Sequence, residues 1–484
     1  MKKIFFILFI LCFRIKQFGQ VTSGGLPYTF EINTINPTLL NYRGILSSIN
    51  QTVLPNLDNI ALKQQAENES ASCVDCKNFY YGKFLNQNIN IISQGTYELI
   101  DNVKVYRYKV ISPTAEALQF YFTQFNVPEG GRLYIYNEDK TILFGALTSD
   151  NINYTSQDVI KLATVPIHGG SLVLEYNEPL DSPFSASIEI GYIVHVFDKK
   201  FSSAPSDKSA SCNNDVVCPT GYGWDNEKKA VVMILSRTPN TDWGGFCTGT
   251  LLNNTTNNKT PYLITAGHCF RSETNVVDPV FHPGSSLYVF NYENINCNDN
   301  IETTFNLTNS IYGAYDLSTK YINSNNTVSY DYSLLKLKAE NDQNPSSYYD
   351  KYLSRFGVCF AGWNRSTTLN SNQKPYVIIH HPNGDNKKIT VTKLNEDAKS
   401  VNKIGEIPSP SGAHFEVKYS TGVTERGSSG AALFDSYHKL IGTLWGGKSD
   451  CGIDGLAYNE EPDLYFKFSR AWTDGNFQAW LDPI

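Results

Sequence analysis

The chain has 484 residues, a formal net charge of −7, 18% charged and 13% aromatic residues. That length gives room for roughly two to four domains, each able to bury its own core. An acidic balance without a basic cluster excludes nucleic acid as the expected partner, and an aromatic-rich, charge-poor chain suits β-rich extracellular domains rather than long surface helices.

The first element in chain order is an export signal, expected over residues 1–19. Lys2 and Lys3 form its charged start and Ile4–Phe13 its unbroken apolar run of ten residues. Spanning a bilayer takes about 20 apolar residues, so this run is too short, although Arg14 and Lys16 after it leave an anchored N-terminus as the alternative. No other stretch of sequence could cross a membrane, and nothing resembling a sorting segment precedes Ile484, so the expectation is a secreted protein with no membrane partner. Residues 20–77 read as a polar pro-segment with one helical stretch near Leu54–Asn68.

From 78 to 197 the pattern becomes short alternating runs: Leu118, Phe120 and Phe122; Leu133 and Ile135; Leu172 and Leu174; Ile188 and Ile190. Pro128-Glu129-Gly130-Gly131, Asn137-Glu138-Asp139 and Gly169-Gly170 supply turns between them. Repeated short strands with such turns predict a jelly-roll-like β-sandwich. Residues 198–208 (DKKFSSAPSDK) are small, polar and aperiodic, which predicts an exposed linker. Strands continue from there, and a short helix is expected at Asn476–Leu481.

Ten cysteines are present, and Cys12 falls within the signal, leaving nine. In an exported chain these are expected in disulfides rather than as ligands. Cys73-x-x-Cys76 has no second pair at zinc-finger spacing, so no metal is expected there. Cys359, inside the apolar FGVCFAGW, is the candidate for a buried free thiol.

Three segments of the C-terminal half carry chemistry: Leu263–Cys269 (LITAGHC), Asp331–Leu335 (DYSLL) and Gly427–Ala431 (GSSGA). A serine hydroxyl is a poor nucleophile at neutral pH, so acyl transfer needs an adjacent base and a group that orients that base. His268 follows an apolar strand and is flanked by small Ala266 and Gly267. Cys247 and Cys269, on what would be neighbouring strands, could fix its loop through a disulfide. Asp331 precedes Leu334-Leu335, which places its carboxylate at the start of a buried strand, where it could accept from the imidazole Nδ1–H. Gly427 and Gly430 allow the tight positive-φ turn that exposes a serine at its apex. The G-x-S-G frame selects Ser429 over Ser428 as nucleophile, with the N–H groups of Gly427 and Ser429 as oxyanion donors. His380 and His381 are adjacent on a strand and so point to opposite faces, which favours structural roles over chelation of one ion. The base must be neutral to work, so activity is expected to rise with pH.

Residues 209–484 resemble the lysyl endopeptidases, a bacterial branch of the chymotrypsin-like serine peptidases. The likeness rests on SCNNDVVCP (Ser211–Pro219), CTGTLLNN (Cys247–Asn254), NYENINC (Asn291–Cys297), AGWNR (Ala361–Arg365), HHPNG (His380–Gly384), GVTERGSSG (Gly422–Gly430) and WLDP (Trp480–Pro483). It implies an all-β chain with a chymotrypsin-like double β-barrel over 209–484, behind the β-sandwich prodomain. It also implies disulfides Cys212–Cys451, Cys218–Cys297 and Cys247–Cys269, with Cys359 again unpaired, and no cofactor. In trypsin-like pockets the selecting acid lies six residues before the nucleophile, where this chain has Val423. The resemblance points instead to Asp463 in EEPDLYFKF as the acid that pairs with a lysine ammonium; Glu425 is the less favoured candidate. Leu444, Trp445 and Gly446 are expected to form the edge that pairs with substrate backbone. Trp445 departs from the family, which has a histidine there, and the tryptophan that packs near that histidine has no counterpart between Asp385 and Lys418.

The front half then reads as a prodomain acting in cis and removed on maturation. Lys208-Ser209 lies just before SCNNDVVC, so a lysine-directed enzyme cutting after Lys208 would release itself; Lys199-Lys200 is a second candidate cut. The expectation is a secreted, monomeric serine endopeptidase acting on proteins or peptides after lysine. The alternatives are arginine or mixed basic preference, and an inactive peptidase-like binding protein.

Overall fold

The structure, a computed structural model, describes residues 17–18, 24–32, 40–42, 48–72, 79–152, 157–201, 209, 211–272, 275–297, 309–324, 327–338, 349–369, 371–394, 397–401, 403–404, 407–409, 412–452 and 455–483. Most of the export signal, with Cys12, and also Cys73, Cys76 and Lys208 lie outside them. The first helix, α1 (Asn59–Ser72), begins later than the helical stretch expected from Leu54. Residues 54–58 have no regular structure, and Asp58 sets the helix start by accepting from the amides of Ile60 (2.9 Å) and Ala61 (3.2 Å).

The main strands that follow are β1 (Phe79–Asn90), β2 (Val103–Ile111), β3 (Ala117–Asn126), β4 (Arg132–Tyr136), β5 (Leu143–Leu147), β6 (Ser171–Pro179) and β7 (Ser187–Val196). They form two sheets, β5-β4-β6-β2 and β3-β7-β1. The alternating residues Leu118, Phe120, Phe122, Leu133, Ile135, Leu172, Leu174, Ile188 and Ile190 all enter one buried cluster between them. The cause is the strand period of two, which sends alternate side chains to one face.

The next strands curl into a barrel: β8 (Val231–Arg237), β9 (Trp243–Leu252), β10 (Tyr262–Thr265), β11 (Leu287–Phe290), β12 (Ser310–Tyr312), β13 (Ala314–Ser324) and β14 (Thr327–Leu337). Their order is β13-β14-β10-β9-β8-β11-β12. Only Gly313, at φ 83°, separates β12 from β13, so the two ends of this path meet.

A second barrel contains β15 (Val377–His380), β16 (Lys388–Thr392), β17 (His414–Val417), β18 (Tyr419–Thr421), β19 (Ala432–Phe434), β20 (Lys439–Gly447) and β21 (Asp463–Lys467). The order β16-β15-β19-β20-β21-β17 closes because β18, one residue beyond β17, pairs back onto β16. Helices α2 (Phe468–Asp474) and α3 (Gln478–Leu481) end the chain against the first barrel's core. The all-β reading, with two near-closed barrels behind a sandwich, therefore describes the molecule.

The sandwich and first barrel share a sheet. Strand β1 pairs with β9, setting Lys83 opposite Trp243, Gly82 opposite Gly244, and Phe79 opposite Phe246. Around that junction Phe246 stacks on Phe79 and Tyr81 at 5.5 and 4.8 Å between ring centroids. The stretch read as an exposed linker is corrected at its start: Phe201 is fully buried, its ring 5.7 Å from Phe246 and 5.4 Å from Tyr81. An aromatic ring gains more from such a cluster than from solvent, which a polar, aperiodic composition does not reveal. Cys359 is also corrected: its free thiol is half-buried rather than buried, and that burial pushes it up.

A buried ion pair bridges the same two bodies, with Lys338 Nζ 2.6 Å from Asp158 and their side chains 3% and 10% exposed. Removing one partner of such a pair costs about 3 kcal/mol. Lys338→Met is expected to lower full-length stability by that order in chemical denaturation; an unchanged midpoint would show that the pair contributes nothing.

Three imidazoles are packed as neutral fixtures. Burial lowers His195 to about 4 and both His381 and His414 to about 3. All three lie below the unfolded value near 6.5, so the unfolded chain takes up protons first as the solution acidifies. Their stabilisation is complete above about pH 6.5 and is lost as pH falls toward the folded values. The melting temperature is expected to drop between pH 6.5 and 4, with a shallower slope in His195→Gln; a flat wild-type profile over that range contradicts this.

Candidate active site

His268 sits in a short turn, Gly267–Cys269, directly after β10 and Ala266. A side chain at Gly267 would stand 2.3 Å from the Lys320 carbonyl, so this close approach requires glycine. The Cys247–Cys269 disulfide ties the turn to β9. Asp331, fully buried, accepts from the His268 backbone N–H at 2.9 Å and contacts Nδ1 at 3.0 Å. A carboxylate can only accept, so Nδ1 carries the hydrogen and Nε2 keeps its lone pair. Nε2 is buried and has no hydrogen-bond partner among the described residues. Asp331 lies in the interior of β14, opposite Tyr321, and not at a strand start as expected. The strand reaches back to Thr327, because a β-hairpin with β13 extends it past the polar residues before the apolar run.

Gly427 to Gly430 form a turn between β18 and β19, with φ of 88° at Gly427 and 82° at Gly430. Thr248 of β9 donates its N–H to the Ser429 carbonyl at 2.8 Å and its hydroxyl to the Gly427 carbonyl at 3.1 Å. A side chain at Gly430 would stand 2.1 Å from Thr265 Oγ1 and 2.7 Å from the Ala266 nitrogen, which locates this turn beside the end of β10 that carries His268.

The two serines of the turn differ in surroundings. Ser428 Oγ lies 2.7 Å from His380 Nδ1 and accepts the Glu425 N–H at 3.3 Å. His380 Nε2 lies 3.1 Å from Thr390 Oγ1, whose own hydrogen goes to the Val423 carbonyl at 2.9 Å. Thr390 must therefore accept from Nε2, Nδ1 of the neutral ring is the acceptor, and Ser428 is the donor. That fixed relay locks Ser428 and His380 into the interior.

His381 faces the other way, with Nδ1 2.9 Å from the Asp385 carbonyl and its ring stacked on Tyr292. Among the described residues, one His/Cys/Asp/Glu group brings its ligand atoms together, namely Cys247, His268 and Cys269. Its sulfurs are bonded to each other, so it offers no thiolate to a metal.

Asp463 opens β21 opposite Gly447 and is fully buried. One oxygen accepts the Ser449 N–H at 3.1 Å; the other accepts Ser449 Oγ at 2.6 Å, Tyr419 Oη at 2.8 Å and the Thr424 hydroxyl. Burial and Asp463 itself push the Tyr419 phenol well up, so it stays a hydrogen-bond donor. A side chain at Gly447 would stand 2.2 Å from the carboxylate, so Gly447 lies directly against it. Val423 is buried and apolar, and Glu425 is held by Asn213 and, at 2.9 Å, by Asn383.

Leu444 already exchanges backbone hydrogen bonds with its own barrel, its carbonyl accepting from Gly430 and its N–H donating to Ala431, both at 2.8 Å. The register with β21 shifts between Leu444 and Gly446, which places Trp445 in a bulge. The Trp445 ring is fully buried and meets His414 edge-on at 6.4 Å. His414 is the residue that the sequence reading missed. Its one signal in the sequence is a histidine beside Phe415 and Val417 in a short strand.

Two further disulfides, Cys212–Cys451 and Cys218–Cys297, tie the start of this half to distant loops. No helix among the described residues is long and apolar enough to cross a membrane.

A family model described as lysyl endopeptidase, C-terminal domain, matches residues 206–466, more than half of the chain. A lysyl endopeptidase of Pseudomonas aeruginosa is 27% identical over 319 residues, which are 63% of this chain and 61% of that protein. Among solved structures, the active form of the Rv3671c protease of M. tuberculosis aligns at 14% identity over 58% of this chain and 92% of that one, with a TM-score of 0.32. The inactivated protease paralogue S-I1 of the scabies mite aligns at 12% identity over 52% and 96%, with a TM-score of 0.33. Likenesses at that level carry no argument, and the assignment rests on the family match. The chain belongs to the lysyl endopeptidase family.

Proposed function

We propose that the protein is a secreted serine endopeptidase that hydrolyses peptide bonds after lysine through an acyl-enzyme, with Ser429 as nucleophile, His268 as base and Asp331 as the group that orients it. The observation that carries this reading is the His268–Asp331 pair: a buried carboxylate 3.0 Å from Nδ1 holds the tautomer whose Nε2 can take a proton. Ser429 then loses its hydroxyl proton to Nε2 as its oxygen bonds the scissile carbonyl carbon. The Gly427 and Ser429 N–H groups stabilise the oxyanion, and the proton passes to the leaving amine. Water and the same histidine release the acid product.

Asp463 is the proposed partner of the substrate lysine. Its hydroxyl and amide donors aim the carboxylate, and a compact ammonium suits a carboxylate so held better than a planar guanidinium. The front half would act as a prodomain in cis, released by cutting after Lys208, and the chain would be exported and act as a monomer without a cofactor.

Ser429→Ala is expected to lower kcat by about 10⁶ and to accumulate full-length precursor, while wild type yields a chain starting at Ser209. Failure of an organophosphate to label the mature wild-type chain would favour an inactive binding protein, and normal processing of the alanine variant would assign maturation to another protease. A charge-assisted bond of about 1.5–3 kcal/mol makes Asp463→Asn expected to lose roughly 10- to 150-fold in kcat/KM on lysyl substrates. Mass spectrometry of the ends cut from one denatured protein checks the specificity. Predominant ends after arginine would shift the assignment to a mixed basic pocket, and ends after apolar residues would remove Asp463 from that role.

A further inference from the structure

The serine beside the proposed nucleophile belongs to a closed ring of hydrogen bonds. Ser428 Oγ accepts the Glu425 N–H at 3.3 Å and lies 2.7 Å from His380 Nδ1. His380 Nε2 lies 3.1 Å from Thr390 Oγ1, and Thr390 donates to the Val423 carbonyl at 2.9 Å. The chain itself leads from Val423 back to Ser428 and closes the ring. Ser428, His380, Thr390 and Val423 are all fully buried. Strands β15 and β16 set the spacing: Ile378 stands opposite Thr390 and His380 opposite Lys388, so His380 and Thr390 are diagonal neighbours on one face.

Stability alone does not call for such a ring. Replacing both partners of a buried hydrogen bond by apolar groups of the same shape can be nearly neutral. What directed bonds add is orientation. With the imidazole neutral, Ser428 donates to His380, His380 to Thr390 and Thr390 to Val423, so Ser428 is held in one rotamer.

We propose that His380 is a positioning residue for the reaction: by fixing Ser428 it sets the direction of the Ser429 N–H that meets the oxyanion. The inference rests on the roles proposed above for Ser429 and for the Gly427 and Ser429 N–H groups. A trans peptide holds its C=O and N–H antiparallel in one plane. The Ser429 N–H therefore points opposite to the Ser428 carbonyl, which accepts the Ala431 N–H at 3.0 Å. Rotating that plane out of place needs a turn about the Ser428 Cα. The ring opposes it at the side chain, and the Ser428 N–H, bonded to the Glu425 carbonyl at 3.1 Å, opposes it at the backbone.

The loop that follows His380 holds the other donor. Asn383 N–H bonds the Arg426 carbonyl, which shares its peptide plane with the Gly427 N–H. Asp385 closes that loop through its N–H to the Pro382 carbonyl at 2.9 Å, and its carboxylate accepts the Ser209 N–H at 2.9 Å across 176 positions of sequence. One short segment thus reaches one oxyanion donor through the His380 side chain and the other through its main chain. His380 itself touches no substrate.

Every variant is made as the full chain and treated with immobilised wild-type enzyme until the front half is released, so none has to cut itself. Active sites are counted by organophosphate uptake, and peptide mapping locates the label. Wild type that takes up no label at Ser429 overturns the proposed chemistry and this inference with it. His380→Leu and Ser428→Ala are each expected to lower kcat on a lysyl peptide about 10- to 100-fold, with KM changed by less than about twofold, because one oxyanion donor is misdirected. His380→Gln, whose amide keeps one acceptor and one donor, is expected to recover kcat to within about fivefold of wild type. The double variant Ser428→Ala/His380→Leu removes both partners of the central bond. Its melting temperature is expected to lie closer to wild type than that of His380→Leu, while its kcat stays as low as in either single variant. Recovery of kcat along with the melting temperature would reduce the ring to a structural one and overturn the inference, as would a glutamine variant no faster than the leucine one. Where His380→Leu does not fold, Ser428→Ala decides: wild-type kcat in that variant, with Ser429 labelled, overturns the inference alone.

Discussion

Thr248 is the point on which the C-terminal half depends. This one buried residue of β9 makes four hydrogen bonds. Its N–H goes to Ser429 and its hydroxyl to Gly427, while it accepts the N–H of His381 on its hydroxyl and the hydroxyl of Thr265 on its carbonyl. Across the seam between the barrels these bonds set the spacing of β9 from the serine turn and from His381. A fully satisfied polar cluster in a low-dielectric interior fixes that spacing, because shifting any member leaves a buried group unpaired. The serine turn, the histidine turn and the loop ending at Asp385 are thereby held against one strand.

The same strand serves the sandwich. Trp243 to Phe246 pair with β1, Cys247 carries the disulfide to the histidine turn, and Thr248 reaches the serine turn. Consecutive residues of a strand point to opposite faces, so a single extended segment touches the sandwich, the histidine turn and the serine turn within six positions. Pairing through main-chain hydrogen bonds makes that contact insensitive to side-chain identity, while the Phe79, Tyr81, Phe201 and Phe246 rings give it specificity.

Three buried carboxylates organise the rest. Asp331, Asp385 and Asp463 each accept from at least two donors on segments far away in sequence. A buried charge is costly unless paired and hydrogen-bonded, so each acid dictates where its donors must stand. Asp331 fixes an imidazole tautomer, Asp463 is ringed by hydroxyls, and Asp385 holds the segment that begins the C-terminal half.

The sequence by itself determined the features whose chemistry is local. Period-two runs from Leu118 to Ile190 gave the sandwich, because alternation on a strand is a one-segment property. The LITAGHC, DYSLL and GSSGA segments marked the histidine, aspartate and serine turn, because each needs particular neighbours for steric reasons. Only the tertiary structure decided what depends on partners far along the chain. It sent Ser428 into a relay with His380 and set His414 rather than a tryptophan against Trp445. It also drew Phe201 out of an apparent linker into an aromatic cluster, and joined Ser209 to Asp385. The physical reason is that periodicity encodes which face of an element is apolar, whereas a hydrogen bond or ring contact across 176 residues is fixed by how those faces close on one another.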